Sequence, residues 1–168
     1  MTQIAIQDAN IMIDLVKTGL FDYCLALNYS FSTTNIILNE LYDEQIAIIQ
    51  PHIISGKFVV FNISINELVQ IELLSKEDIH LSEQDWSAIY FAQKEEAIIL
   101  SGDKRLRSVA ETKGLVSHGV LWIIDMLCEN NILTGKQSCD YLKLLMDSNK
   151  RLPEAECNKR IALWNNKK

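Results

Sequence analysis

The sequence is poor in the residues that make chains flexible or extended, with two prolines and six glycines among 168 residues. Such a composition argues against a long linker, and no low-complexity run or internal repeat is present. The length fits one domain over residues 1–168, with a substantial buried core.

Long apolar runs are also missing. Stretches such as residues 120–124 are far shorter than the roughly 20 residues that cross a bilayer. The first residues lack the basic and apolar segments of a secretory signal. We therefore expect a cytoplasmic protein that does not enter a membrane.

Cysteine and histidine are scarce and scattered. The four cysteines form no C-x-x-C pair, and the three histidines do not supply closely spaced ligands. This argues against a structural zinc site and predicts free thiols.

The sequence also has fewer basic than acidic residues, 16 against 22, which gives a net charge of −6. The balance disfavours a protein that coats nucleic acid, but it permits an enzyme that meets phosphate through divalent metal.

Short apolar strands alternate with helices along the first two thirds of the chain, which predicts an α/β fold with a parallel sheet between helices. The predicted strands are 4–8, 31–34, 58–61, 97–100 and 115–117. The predicted helices are 9–17, 21–27, 35–42, 46–54, 65–76, 82–95, 103–113, 120–129, 134–148 and 154–164. The core is expected at about 2–125, and a helical C-terminal extension at about 130–168.

Two of these segments carry specific expectations about burial. The apolar runs 58–61 and 97–100 are typical of strands covered on both faces. In the helix 65–76, Leu68, Ile71 and either Leu73 or Leu74 are expected to face inward.

Three aspartates stand where helices are predicted to begin. Asp8 precedes one helix, Asp103 precedes another, and Asp85 follows Ser82 in the S-x-x-[DE] capping-box pattern. Taken singly, each is explained by capping, which is worth about 1 kcal/mol. Glu40 is different, because it is predicted on an apolar helix face, where a carboxylate is costly unless it is paired or binds metal.

Taken together, the four acids suggest a shared site. Asp8 and Asp103 both follow apolar strands, and the carboxyl edge of a parallel sheet is where ligands bind. Asp85 begins the helix that leads into the second of these strands, and Glu40 can approach from the side. Four clustered carboxylates repel one another unless cations neutralise them. Hard oxygen ligands without nearby His or Cys suit Mg²⁺ or Mn²⁺, which polarise phosphoryl oxygens and activate water.

Other polar residues near these positions each have two interpretations. Lys104, Arg105 and Arg107 could contact RNA phosphates, or they could form a solvated helix face. Asn10 could orient Asp8 or a metal-bound water, or it could be an ordinary residue of a first helical turn.

Four segments together resemble the PIN-domain family, including the VapC-type toxins of bacterial toxin–antitoxin pairs. The segments are residues 6–15, 37–41, 81–89 and 99–107. Asp8, Glu40, Asp85 and Asp103 match the acids of that family, and Ser101 matches a small hydroxyl residue that often precedes the last of them. The resemblance implies a three-layer α/β/α fold with about five parallel strands. It also implies metal-dependent cleavage of RNA, often restrained by an antitoxin protein.

The sequence departs from the family in two places. Some members carry a further acid where this chain has Lys104, Arg105 and Arg107, which leaves the number of metals open. The segment from about residue 130 is longer than in compact toxins, and its apolar helices are compatible with a homodimer.

Two alternatives to a ribonuclease remain. One is a catalytically idle PIN-like module that binds protein or RNA. The other is a Mg²⁺-dependent phosphatase, which is disfavoured because a D-x-D motif would need aspartate at the position of Asn10.

Overall fold

The computed structural model describes residues 1–166. Its strands are β1 (Gln3–Gln7), β2 (Tyr29–Thr34), β3 (Val59–Phe61), β4 (Ile98–Leu100) and β5 (Ser117–His118). They form one parallel sheet in the order β3-β2-β1-β4-β5. The helices are α1 (Ala9–Thr18), α2 (Phe21–Cys24), α3 (Asn35–Leu38), α4 (Asp43–Ile54), α5 (Ile65–Ser75), α6 (Glu83–Lys94), α7 (Lys104–Thr112), α8 (Val120–Glu129), α9 (Gly135–Ser148) and α10 (Glu154–Asn165). The expected three-layer α/β/α fold with five parallel strands is confirmed.

The sheet is enclosed by helices whose buried side chains form one continuous core. Helix α6 packs on β1, β2 and β4 and contributes Trp86, which is fully buried. The C-terminal helices join the same core, because α9 packs on α1 and α8, and α10 packs on α9. No helix within residues 1–166 is long and apolar enough to cross a membrane. The last two residues of the predicted C-terminal extension, 167 and 168, lie outside the described residues.

Local signals in the sequence place most helix ends correctly. Gly19 and Gly114 follow α1 and α7 with φ angles of 76° and 77°, a left-handed conformation that glycine adopts without steric cost. Ser82 caps α6 through the expected capping box with Asp85. The four cysteines are free, as predicted, and all four are buried.

Three predictions about strands and burial were wrong. The segment 58–61 is not covered on both faces, and its strand, β3, pairs only with β2 at an edge of the sheet. Val59 is accordingly 37% exposed. The last strand lies at Ser117–His118 rather than 115–117, because its ladder with β4 begins only at Ser117. In α5, Leu68 is 39% exposed and does not face inward, whereas Ile71 is fully buried and Leu74 packs against the core, as predicted.

The helix predicted at 35–42 is also shorter than expected, because α3 ends at Leu38. The N–H groups of Glu40 and Leu41 donate to carbonyls three residues back, which closes a tight turn instead of a further helical turn. Tyr42 then serves as the N-cap of α4, and its N–H donates to Gln45. The chain thus leaves α3 through a tight turn at Glu40 and Leu41 and enters α4 at Asp43.

Candidate active site

Asp8 lies at the carboxyl end of β1, the central strand of the sheet, and its side chain is only 7% exposed. One carboxylate oxygen, Oδ1, accepts the N–H of Ile11 at 2.8 Å and so caps α1. The other, Oδ2, accepts a hydrogen bond from the hydroxyl of Ser101. One oxygen is thus held by the first turn of α1, and the other by the residue that directly follows β4.

Ser101 joins the two aspartates that the sequence predicted to converge. Its Oγ donates to Asp8 and accepts the N–H of Asp103 at 3.0 Å. Because Ser101 directly follows β4 and is fully buried, the link is part of the core. Asp103 itself caps α7, with Oδ1 accepting the N–H groups of Arg105 and Leu106 at 2.7 and 3.0 Å.

Asp85 is oriented by its capping box. Its Oδ2 accepts the N–H and the hydroxyl of Ser82 at 2.9 and 2.8 Å. Each of Asp85 and Asp103 therefore uses one oxygen as a cap, and no hydrogen bond within residues 1–166 engages the second oxygen of either. All three aspartates are caps, as their sequence context suggested, and capping leaves oxygens available for a ligand.

Burial raises the pKa of Asp8 to about 7, although hydrogen bonds from Ser101 and Ile11 oppose the rise. The negative charges of Asp85 and Asp103 raise it further. Partial burial and the charge of Asp85 likewise raise the pKa of Glu40. The four acids therefore act on one another electrostatically. Within the described chain, however, no three His, Cys, Asp or Glu side chains are close enough to form a preformed metal cage.

Glu40 does not lie on an apolar helix face, which corrects the sequence-based expectation. It follows α3 in the turn described above, and its side chain is exposed. Its position after the carboxyl end of β2 keeps it near Asp85, whose charge it experiences. The full cost of burying an unpaired glutamate is therefore avoided, although partial desolvation still raises the pKa of Glu40.

The basic residues beside Asp103 have different environments. Arg105 is held by Asp78 through a two-pronged contact, with nitrogen–oxygen distances of 2.8 to 3.2 Å. Lys104 is exposed. Arg107 is partly buried, and its Nε has no hydrogen-bond partner among the described residues.

The guanidinium of Arg107 lies near the carboxyl ends of β4 and β5. A Cβ placed on Gly119 would be 3.7 Å from Nη1 of Arg107 and 3.7 Å from the carbonyl oxygen of Ser101. Partial burial and the positive charge of Arg107 lower the pKa of His118, whose ring stacks on Trp122 with centroids 4.3 Å apart. A cation thus stands close to Ser101, on the side of β4 away from β1.

Asn10 is exposed, and the hydrogen bonds of Asp8 go to Ile11 and Ser101 rather than to it. The sequence reading missed a buried hydroxyl pair nearby. The hydroxyl oxygens of Thr34 and Ser87 are 2.9 Å apart, and both residues are fully buried. Extending the β1–β2 register by two residues beyond Ile6 and Ser32 places Thr34 beside Asp8. The run of hydroxyl residues at the end of β2 was the available signal.

Comparisons with known proteins agree with this architecture. A family model described as a PIN domain matches residues 4–166, which include the C-terminal segment beyond the expected core. Six chains of solved structures also match. One is the crystal structure of PAE2754 from Pyrobaculum aerophilum, with a TM-score of 0.52 and 16% identity over 76% of this chain and 99% of that chain. None of the curated proteins matches.

Proposed function

Because the chain belongs to the PIN-domain family, whose members are generally nucleases, we propose that it is a metal-dependent endoribonuclease that hydrolyses RNA phosphodiester bonds. One observation carries the proposal. Asp8 is a buried carboxylate with a pKa raised to about 7, and its nearest charged neighbours include two further acids. Such a group is destabilising unless a proton or a cation neutralises it.

The donor set fits a hard divalent cation. Asp8, Glu40, Asp85 and Asp103 offer oxygen ligands, and Mg²⁺ usually takes only one or two carboxylates while water and phosphate complete its shell. A site without a preformed three-ligand cage is therefore compatible with Mg²⁺ or Mn²⁺. When bound, the ion supplies Lewis acidity at a phosphoryl oxygen and makes hydroxide available near neutral pH.

Residues of the chain position the carboxylates, accept a proton and bind phosphate in the proposed reaction. Ser101 fixes the carboxylate of Asp8, and the helix caps fix one oxygen each of Asp85 and Asp103. Glu40 is exposed, and its pKa is raised, so it is suited to accept a proton from the attacking water. Arg107 has no acidic partner among the described residues and is suited to bind an RNA phosphate, with Lys104 as an outer contact. Arg105 is the weaker candidate because Asp78 already engages it.

The biological role that fits this activity is that of a toxin held in check by an antitoxin protein. The resemblance to VapC-type toxins in the four acidic segments supports this role. A toxin that cuts cellular RNA would act in the cytoplasm. Purifying the chain together with the product of a neighbouring small gene, and measuring cleavage before and after removing that product, would test it.

The alternative is an idle PIN-like module that binds RNA or protein without cutting. The observation in its favour is the absence, within residues 1–166, of three acidic side chains close enough to form a metal cage. It predicts that neither Mg²⁺ nor Mn²⁺ raises the melting temperature. A bound ion at 100 times its dissociation constant would stabilise the fold by about 2.7 kcal/mol, or several degrees for a chain of this size.

The decisive experiment is cleavage of a mixed RNA pool with Mn²⁺, with Mg²⁺ and with EDTA, by the wild type and by Asp103→Asn. Asparagine also caps helices, so the variant keeps α7 while losing the charge. Asp147→Asn, which neutralises an exposed acid on α9, is the matched control.

We expect cleavage that requires metal and falls about 100-fold or more in Asp103→Asn, with no change in the control. Wild-type cleavage by Asp103→Asn would show that the site is misassigned. Absence of cleavage together with absence of a metal-induced rise in melting temperature would establish the idle module.

A further inference from the structure

An uncharged cleft lies between β3 and the helices α3 and α4. Its volume is about 500 Å³, which is within the roughly 300–1,000 Å³ of ligand-binding pockets. Four side-chain amides line it, and it is here called the amide cleft after them: Asn35, Asn39, Gln50 and Asn62. The other lining residues within the described part of the chain are apolar or glycine, and none is charged.

The amides of the cleft are available to a ligand. Asn35 accepts the N–H of Ile63 at 3.2 Å through Oδ1, which leaves its amide NH₂ group unengaged within residues 1–166. Asn39, Gln50 and Asn62 are exposed, and no side-chain hydrogen bond within the same residues engages their amides. Because each amide carries both donors and an acceptor, the cleft can pair with a ligand that presents either.

The rest of the lining adds apolar surface and strand backbone. Leu38, Ile53 and Val60 line the cleft together with the buried ring of Phe58. Val59 also lines it, and its strand, β3, pairs only with β2, so that backbone groups on the outer edge of β3 are unpaired. Such a surface fits a flat, uncharged group that has donors and acceptors along its edge.

The amide cleft adjoins the acidic edge of the sheet at two points. Asn35 directly follows Thr34, which the extended β1–β2 register places beside Asp8. Asn39 directly precedes Glu40, one of the four acids. An RNA strand that has a phosphate at these acids therefore has a neighbouring nucleotide within reach of the cleft.

We propose that the amide cleft binds one nucleobase of the RNA substrate, in a nucleotide next to the cleaved phosphate, and that its amides select that base. The proposal rests on the proposed ribonuclease function and adds a determinant of RNA sequence to it. Proteins read single-stranded RNA by hydrogen bonds to the edges of splayed bases, and a side-chain amide pairs a donor and an acceptor with such an edge.

The distribution of charge favours a base over the other parts of a nucleotide. A phosphate gains nothing from a cleft without cations, and the net charge of −6 repels it. A nucleobase carries no charge, so the neighbouring acids do not oppose its binding. The acidic edge and the amide cleft thus contact different parts of the same substrate.

Sequencing of the cleavage sites in a random RNA pool tests the selection of a base. Asn39→Leu and Gln50→Met each remove an amide while keeping a side chain of similar size. Asn66→Leu and Gln70→Met, at exposed positions on α5 outside the cleft, are the matched controls.

We expect the wild type and the controls to prefer one base at one position beside the cut by about 10-fold or more. Each cleft variant should reduce this preference to about 2-fold, because one of the amides that select the base is lost. Its rate on RNA that lacks the preferred base should stay the same. A purely structural role of these residues would instead lower the rate on every RNA and leave the preference intact.

NMR spectroscopy of the full chain in EDTA measures binding to the cleft without any cleavage. Adenosine, cytidine, guanosine and uridine are added separately at millimolar concentration. The side-chain NH₂ signals of Asn39 and Gln50 should shift with one nucleoside more than with the others, and those of Asn66 and Gln70 should not shift.

The proposal is overturned if the cleavage sites show no base preference, or if both cleft variants keep the preference of the wild type. If no RNA is cut, the proposed function fails, and the nucleoside spectra then decide on the cleft alone. The absence of shifts with all four nucleosides would in that case overturn the proposal. Shifts caused by a short uncharged peptide but by no nucleoside would overturn it as well, and would make the cleft a protein-binding site.

Discussion

The carboxyl edge of the sheet and the outer face of α5 depart in opposite ways from the usual pattern, in which apolar side chains are buried and charged side chains are exposed. At the edge, a carboxylate that should be in water, Asp8, is buried beside other acids. On α5, four apolar side chains that should be buried, Ile65, Leu68, Val69 and Leu73, are exposed. Exposed single apolar residues carry little information, but a buried charge and an exposed apolar stripe both do.

The difference between the two regions indicates what each lacks. At the edge, the hydrogen-bond partners of Asp8 are a backbone N–H and a hydroxyl, and a proton or a divalent cation would neutralise its charge. The outer face of α5 exposes apolar side chains that no other part of residues 1–166 covers. The two regions therefore differ in chemistry, and each can be tested without disturbing the other.

The largest effect is expected from neutralising Asp8. Its raised pKa means that the native protein keeps a proton which the unfolded chain releases between about pH 4 and about pH 7. Without metal, the free energy of unfolding therefore falls as the pH rises through this window, by at most about 4 kcal/mol. Asp8→Asn should remove this loss and be the more stable protein at pH 8 in EDTA.

Urea unfolding at pH 4.5 and pH 8 measures the effect, with Asp147→Asn as the control. The difference in unfolding free energy between variant and wild type removes the contributions of the other titrating groups, because these groups are the same in both proteins. A difference that is the same at both pH values would mean that Asp8 does not titrate in this window.

The two faces of α5 should differ almost as much. Ile71→Ala empties a fully buried position and should cost about 2–4 kcal/mol of unfolding free energy. Leu73→Ala, on the same helix but 53% exposed, should stay within about 0.5 kcal/mol. Equal losses of unfolding free energy in the two variants would show that Leu73 is buried within the monomer.

Much of this arrangement follows from local sequence signals. Alternating apolar segments, glycines after helices and the Ser82–Asp85 capping box gave the strand and helix order, because each depends on residues a few positions apart. The convergence of Asp8 and Asp103 followed from the geometry of parallel strands.

The rest depends on contacts between distant segments. Helix α5 has apolar residues on all sides, so periodicity could not show that Ile71 is buried while Leu68, predicted to face inward as well, is exposed. The contact of Arg105 with Asp78 joins residues 27 positions apart, and no local pattern predicts it. Glu40 was misplaced because the start of α4 competes with the end of α3, and element boundaries are the least certain part of such predictions.

Replacing Ser101 should have a smaller effect, because it removes hydrogen bonds at the carboxyl edge of the sheet without changing the charge there. Ser101→Ala removes the hydrogen bond to Asp8 and the acceptor for the N–H of Asp103. We expect a cost of about 1–3 kcal/mol and a fall in cleavage of about 10- to 100-fold. Ser108→Ala, at an exposed position on α7, is the control, and equal behaviour of the two variants would remove Ser101 from the site.

The smallest expected effect is a difference in the KM for RNA between substitutions of Arg107 and Arg105. Arg107→Gln should raise the KM for RNA a few-fold, because a single phosphate contact from a partly solvated side chain is worth about 1 kcal/mol. Arg105→Gln should change KM less, since that side chain is engaged by Asp78. The opposite ranking in steady-state kinetics would mean that RNA displaces Asp78 from Arg105.

The strand order β3-β2-β1-β4-β5 has a consequence for how such a site can evolve. From the adjacent pair β1 and β4, the chain continues to β2 in one direction and to β5 in the other. Right-handed crossovers then place the two connections on opposite faces of the sheet, which leaves a crevice where they diverge. The winding of the chain creates this crevice before any side chain is chosen. Relatives that have lost every acid would therefore keep a place for a ligand, and could acquire a new chemistry there without changing the fold.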